Sequence, residues 1–341
     1  VINHHDRDRF EPHLISRGSD PGAAAGYQDH DEDRIWLARG LDNATLAGHI
    51  AAAGIDVLVD LNGYSAQSRL GLFAHRPAPV QIGWFNMFAT TGMDAFDILI
   101  GDDAVIPADE EPFHTERVAR VPGSYLAFSV LYPVPEMAPP PCETNGFLTF
   151  GCLGSAYKIT PGVVAAWARI LRGAPRARLY LRNATLDDSS NRAALEARFA
   201  AEGIAPDRLT LAGRAEHFDF LAAYAQVDIA LDTFPYNGGT TTTEALWQGV
   251  PVLTFNGDRW AARTSRTLLR AAGLDEWISG DEPGYVRQAI DLSLDPHTPA
   301  RLGKLRRSLR PKLQASAACD SRALCRALES IYGAAISRRT L

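Results

Sequence analysis

One rhythm narrows the fold more than anything else in this chain. Short apolar runs of strand length alternate with stretches of helical pattern, twice over, with a proline-rich break between. In the first half, NATLAGHIAAAG (Asn43–Gly54) sets apolar residues near a helical period and ends in glycine. It feeds IDVLVDLNG (55–63), a buried-strand run closed by Asn-Gly, and APVQIGWF (78–85) and FDILIGD (96–102) read as further strands. FSVLYPVPEMAPPPCETNG (128–146) can support neither a helix nor a central strand, because proline offers no amide donor. After it, FLTFGCL, ARLYLRN, RLTLAG, VDIALD and GVPVLTF read as strands. Between them TPGVVAAWARILRGAP, NRAALEARFAAEGI and HFDFLAAYAQ read as helices, the first with proline in its opening turn. SRALCRALESIYGAAISR is a last amphipathic helix. Such alternation predicts parallel sheets with helices on their faces. The expected fold is α/β, with two Rossmann-like doubly wound domains facing a ligand cleft. The expected boundaries are 1–127 for the first domain, 128–146 for the linker, 147–312 for the second domain and 313–341 for a terminal helix.

With 341 residues, 46% of them hydrophobic, the chain can bury two ordinary cores. Net charge is −6 and no basic block stands out, so neither a nucleic acid nor a membrane is expected as a partner. No apolar run would cross a bilayer and no signal peptide is seen. Cys142, Cys152, Cys319 and Cys325 lack metal spacing and read as reduced thiols, which sets a cytoplasmic expectation. VINHHDRDRFEPHLIS opens as though a helix had just ended, and FEPHLIS resembles the strand that follows it. More polypeptide is therefore expected before Val1, and the first domain is expected to be incomplete.

The stretch DTFPYNGGTTTTEALWQGVPV (Asp232–Val252) raises a chemical question, since two glycines and four threonines are poor material for opening a helix. A helix start carries unpaired amides and partial positive charge, which suits an anion. Gly238 and Gly239 would let a diphosphate approach the backbone, and the Thr240 and Thr241 hydroxyls would add hydrogen bonds. The plainer reading is a capping box running from Thr241 to Glu244. The two readings compete for the Glu244 carboxylate.

DTFPYNGGTTTTEALWQGVPVLTF resembles the C-terminal catalytic region of the O-linked N-acetylglucosamine transferase/SPINDLY family, of bacterial type. GIDVLVDLNGYS (54–65), RPAPVQIGWFNMFATTGMDAFDILIGDDAVIP (76–107) and SAYKITPGVVAAWARIL (155–171) agree with it, in the family's order and over most of the chain. The resemblance implies a GT-B-type glycosyltransferase whose second domain binds the nucleotide sugar. It implies inverting transfer of a sugar, N-acetylglucosamine from its UDP donor above all, to serine or threonine hydroxyls of an acceptor protein. No cofactor or metal is implied, and the UDP-sugar is a co-substrate. Family members carry tetratricopeptide repeats ahead of this region, and none is seen here.

Carried over residue by residue, Lys158 matches the lysine that meets the donor diphosphate. Neutralising the leaving diphosphate is the chemistry such a reaction needs, and Lys158 is the one residue assigned a catalytic part. Ser155 and Tyr157 flank it, Ser155 standing where the family often has glutamine. Thr240 and Thr241 match a phosphate-binding pair preceded by Asn237 and Gly238, while Gly239 replaces a histidine of the animal enzymes. Glu244 falls where a carboxylate bonds the ribose. GRAEHFDFLAAY corresponds to the base-binding loop, with Phe220 at a usual contact position and His217 three residues earlier as its substitute.

Asp56, Asn62, Gly63 and Tyr64, with Arg263, are expected at the cleft. The family's catalytic histidine would precede Val1. Asp56, Asp60 and His75 read as structural rather than as a base. Arg259, Arg263, Arg266 and Arg270 recur at helical spacing as a solvated face, and the pairs Asp102–Asp103 and Asp187–Asp188 lack a third metal ligand. Trp84 and Trp247 fit core packing. Alternatives stay open: a GDP-fucose donor, glucosylation of asparagine, a UDP-sugar 2-epimerase, or an inactive donor-binding module.

Overall fold

A computed structural model describes residues 1–18, 20–24, 26–66 and 68–338 of the chain. It divides into two compact units, Val1–Tyr132 with Ala317–Leu341, and Pro133–Ser316.

The first unit holds a parallel pair, β1 (His13–Ser16) and β2 (Arg34–Leu37), and a parallel sheet of β3 (Val57–Asp60), β4 (Val80–Gly83), β5 (Ile98–Gly101) and β6 (Arg117–Arg120). In that sheet the strands lie in chain order. β4 and β5 are buried at every residue, which is why they read as unbroken apolar runs. Helix α1 (Asn43–Ala52) starts where the Asp42 carboxylate accepts the Thr45 amide at 2.7 Å, and the single turn α2 (Leu70–Phe73) precedes β4.

The second unit opens with α3 (Cys142–Asn145) and builds six parallel strands: β7 (Thr149–Cys152), β8 (Arg178–Arg182), β9 (Leu209–Ala212), β10 (Ile229–Leu231), β11 (Val252–Phe255) and β12 (Ile278–Ser279). Helices α4 (Pro161–Gly173), α5 (Ser189–Ala201), α6 (His217–Ala222), α7 (Thr240–Trp247), α8 (Thr264–Ala271) and α9 (Glu282–Leu294) alternate with them, and α10 (Thr298–Gln314) follows. The sheet order is β12-β11-β10-β7-β8-β9, so the chain builds outward from β7 on one side and then from β10 on the other. The helix expected over HFDFLAAYAQ stops at Ala222 and tightens into a 3₁₀ turn, Ala223–Gln226.

Helix α4 takes its start from Thr160, whose hydroxyl accepts the Val163 amide, with Pro161 in the first turn. Its buried Trp167 donates to the Tyr285 hydroxyl of α9 at 2.9 Å, and that hydroxyl donates onward to the Asp232 carbonyl at 3.2 Å. The core is thereby tied to the loop after β10. The proline-rich stretch splits between the units after Tyr132. Its second part is held to α10: buried Arg306 donates to the Ala138 carbonyl at 2.8 Å and lies beside Asp228, which accepts the Cys142 amide at 2.9 Å. The last helix, α11 (Ser321–Ser337), returns to the first unit, where Glu329 meets His5 at 3.1 Å. Among the described residues no helix is long and apolar enough to cross a membrane.

Candidate functional site

Where strand order reverses, the loops leaving two neighbouring parallel strands part and open a crevice at the carboxyl end of the sheet. In the second unit those strands are β7 and β10. The loop after β7 carries Ser155, Tyr157 and Lys158, and the loop after β10 runs from Asp232 to Gly239. A pocket here is lined by Gly154, Lys158, Asp232, Gly238 and Thr241, among others.

Asp232 organises the second loop from inside. One carboxylate oxygen accepts the amides of Thr233 at 3.0 Å and Gly238 at 2.8 Å, and the other accepts the Thr254 hydroxyl at 2.8 Å. Burial raises its pKa against the pull of these bonds and of Lys158. The Asn237 side chain donates to the Thr233 carbonyl at 2.7 Å, while its own amide goes to Ala261. So folded, the loop offers the Asn237 carbonyl to Lys158, whose Nζ donates to it at 2.6 Å. The same amine lies 3.8 Å from the centroid of the Tyr236 ring. Burial lowers the Lys158 pKa, and Asp232 and then Cys152 oppose the shift.

Helix α7 begins at Thr240, with Gly239 as a cap that supplies no side chain. The amides of Thr242 and Thr243 turn back to the Gly239 carbonyl, both at 3.1 Å. Those of Gly239, Thr240 and Thr241 find no acceptor among the described residues. The threonines divide in the same way. Thr242 bonds the Ser265 hydroxyl at 2.8 Å and Thr243 donates to the Thr240 carbonyl at 2.8 Å, whereas the hydroxyls of Thr240 and Thr241 are unpaired among the described residues. Three amides and two hydroxyls thus stand open beside an ammonium, an arrangement that can take a polyanion.

The capping box does not form. The helix starts two residues earlier than the box requires, with Gly239 rather than Thr241 as its cap, and the buried Glu244 carboxylate instead meets His217 Nε2 at 2.9 Å. Burial raises the Glu244 pKa, and His217 opposes it. The two glycines also differ in purpose. A Cβ on Gly238 would sit 2.5 Å from the Thr242 hydroxyl and 2.8 Å from that of Thr241, so this glycine lets the loop lie on its own helix. At Gly239 the nearest atom is 3.6 Å away, and room is left in front of the open amides.

The other second-unit candidates spread around this centre. Ser155 is exposed, and Tyr157 is 71% exposed with its ring 6.2 Å from that of Tyr236. His217 stacks on Phe220 with centroids 6.5 Å apart. Arg263 is buried, its Nε donating to the Gly257 carbonyl at 2.8 Å, which corrects the solvated four-arginine face. Only Thr264–Ala271 of that stretch is α-helical, so Arg259 lies off the helix and pairs with Asp258 at 2.7 Å. Trp247 is half-buried under the Arg310 guanidinium rather than in the core, whereas Trp84 is buried. Tyr236 was missed from the sequence, because no periodicity or spacing marks a lone aromatic in a loop.

In the first unit, Asn62, Gly63 and Tyr64 stand at the carboxyl end of β3. Buried Asp60 accepts the Asn62 amide at 2.9 Å and the Gly63 amide at 3.1 Å, and the Tyr64 hydroxyl donates to the Thr90 carbonyl. Asp56 sits exposed at the opposite end of that strand, so it parts from the group expected with it. His75 is exposed just after α2. The acidic pairs have structural duties: Asp102 accepts the amides of Ala104, Val105 and Tyr125, Asp103 pairs with Arg120, Asp187 accepts the Arg214 amide, and Asp188 caps α5. Among the described residues one group has mixed metal-ligand types, His5, Cys325 and Glu329. There Arg326, 2.7 Å from Glu329, already supplies a cation.

A family model described as glycosyl transferase family 41 matches residues 1–130 and 144–328. The chain is 37% identical over 297 residues to a probable UDP-N-acetylglucosamine–peptide N-acetylglucosaminyltransferase SPINDLY of Solanum lycopersicum, covering 86% of this chain and 31% of that protein. A solved mutant of the Thermobaculum terrenum O-GlcNAc transferase matches with TM-score 0.86 and 35% identity, over 98% of this chain and 63% of that one. Sucrose-phosphate synthase from Thermosynechococcus elongatus matches with TM-score 0.58 at 13% identity, over 96% and 90% of the two chains, a likeness of fold alone. The chain spans about a third of the length of the curated relatives it matches.

Proposed function

This chain belongs to glycosyl transferase family 41, and from that premise we infer that its second unit binds a nucleotide-diphosphate sugar at the β7/β10 crevice and serves its transfer to a protein hydroxyl. The family is one of protein O-GlcNAc transferase-type glycosyltransferases with a GT-B fold. In this reading the donor is UDP-N-acetylglucosamine and the acceptor a serine or threonine side chain. The acceptor oxygen bonds to the anomeric carbon from the face opposite the diphosphate. The bond from that carbon to the β-phosphate oxygen breaks, and its electron pair leaves on that oxygen. Configuration inverts.

One observation carries the reading. The Lys158 ammonium is hydrogen-bonded at 2.6 Å to the loop carbonyl that precedes the open amides of α7. Ammonium, amides and the Thr240 and Thr241 hydroxyls all favour negative charge developing at one place, and preorganised donors of this kind lower a barrier because they need no reordering. In this reading the charge is met without a metal. The proton of the acceptor hydroxyl passes to a general base. Asp60 spends its carboxylate on its own turn, and Asp56 and His75 lack any partner geometry that points to the task.

Calorimetric titration of UDP, GDP and UDP-N-acetylglucosamine into the wild type and Lys158→Ala tests this. UDP is expected to bind, and the variant to lose at least tenfold in affinity, about 1.4 kcal/mol. Equal affinity for both proteins would remove Lys158 from the site. Preference for GDP would move the donor to the fucosyl alternative, and a radiolabelled transfer assay then separates transferase from binder.

A further inference from the structure

A lysine on a four-carbon stem has to be held before it can act as a fixed charge, since each free rotor it orders on binding costs affinity. Lys158 is held at two points. Its Nζ donates one proton to the Asn237 carbonyl at 2.6 Å, and it rests 3.8 Å from the centre of the Tyr236 ring. A ring face attracts a cation through its quadrupole without consuming an N–H. Two of the three ammonium donors therefore remain for an incoming anion. The Tyr236 ring is itself steadied, half-buried and 6.2 Å from the Tyr157 ring at 43°.

We propose that Tyr236 is a positioning residue of the diphosphate site, its ring face holding the Lys158 ammonium beside the open amides of α7. This rests on the nucleotide-sugar reading above. Tyr236 lies next to Asn237 in the chain, so the ring that steadies the amine and the carbonyl that bonds it come from one turn of backbone. That turn is itself fixed by the buried Asp232 carboxylate. Charged and titratable groups facing the amine are Asp232 from the end of β10 and Cys152 from β7, with the phenols of Tyr157, Tyr224 and Tyr236 nearby. Asp232 and the ring both favour the charged amine, and burial opposes them. Removing the ring at similar volume must then weaken the hold and ease loss of the proton.

The test is UDP affinity by calorimetry as a function of pH for the wild type, Tyr236→Phe, Tyr236→Leu, Lys158→Ala and the Lys158→Ala/Tyr236→Leu double variant. Phe keeps a ring face and should stay within about twofold of wild type, whereas Leu should bind about fivefold more weakly. With Leu the alkaline loss of affinity should also set in at lower pH than in the wild type. In the Lys158→Ala background the Leu change should cost less than about twofold, because a residue acting through the amine has nothing left to act on. Leu weakening UDP equally in both backgrounds overturns the proposal, as does Leu behaving like the wild type. Tyr236→Met gives the same reading should Leu lower the melting temperature sharply. Absence of UDP binding by the wild type sinks the functional reading as well. Binding that needs Lys158 but ignores Tyr236 sinks this inference alone.

Discussion

The two units use one device at the carboxyl ends of their sheets and get different results from it. In each, a buried aspartate at or just past a strand end collects backbone amides from the loop that follows: Asp60 after β3, Asp232 after β10. The first loop closes on itself. Gly63 adopts φ 47° and packs so closely that an added Cβ would fall 2.2 Å from the Asn86 carbonyl oxygen. The second loop hands its end to α7, whose opening amides have no acceptor among the described residues, and Lys158 bonds the Asn237 carbonyl just before them. Strand order makes the difference. The β3–β6 sheet keeps chain order, while the six-stranded sheet reverses at β7/β10 and brings two loops to one place. A glycine-bearing turn after a strand is therefore common architecture, and donors left unpaired beside a cation are what distinguish a candidate site.

The sharpest way to break this comparison is to remove the two carboxylates. Asp232→Ala strands two amides and a hydroxyl in a buried place and should cost roughly 3–5 kcal/mol of stability in denaturant unfolding. Asp60→Ala strands two amides and should cost about 2 kcal/mol. A larger loss at Asp60 would show that the second loop is not the one stretched by its carboxylate. The glycines give the next effect. Gly63→Ala forces a Cβ to 2.2 Å from the Asn86 oxygen at positive φ, and a loss of about 2–3 kcal/mol is expected. Gly239→Ala should leave the melting temperature almost unchanged yet weaken UDP, since its Cβ enters the space before the open amides. Unchanged UDP affinity there would count against a ligand in that space.

The threonines sharpen the comparison within one helix. Thr242→Val breaks the buried pair with Ser265 and should lower stability by about 1 kcal/mol with little direct effect on UDP. Thr241→Val should do the reverse, weakening UDP about threefold at unchanged stability. The smallest expected effect is a pH trend. Burial depresses the Lys158 pKa, so the unfolded chain holds that proton more readily between the depressed and the ordinary lysine values. Stability from this group should rise as pH climbs through the depressed value, while UDP affinity falls in the same window. Lys158→Arg, which stays charged, should abolish both trends, and a wild type showing neither would place the ammonium elsewhere.

Much of this was legible before any coordinates. Helix α4 was foreseen from Pro161, the parallel α/β class from the alternating runs, and Lys158 with Asn237–Thr241 from motifs in family order. The missed points share a cause. Glu244 looked like half of a capping box by spacing, but α7 begins two residues earlier and His217, from the start of α6, claims the carboxylate. Arg263 looked solvated because its neighbours repeat at helical intervals, yet the backbone there is not yet α-helical. Asp56 shares a strand with Asn62 to Tyr64 by sequence, but a strand has two ends.

By itself the sequence determined the local order: which segments are strands, which are helices, and where proline and glycine interrupt them. Those choices depend on residues within a few positions of one another, through backbone sterics, periodicity and caps. Tertiary structure alone decided that the chain reverses its strand order after β9, and that the amine of Lys158 meets a carbonyl 79 residues further on. Nothing local encodes that meeting, because it follows from which apolar faces pack together, and the loops go where the buried strands leave them.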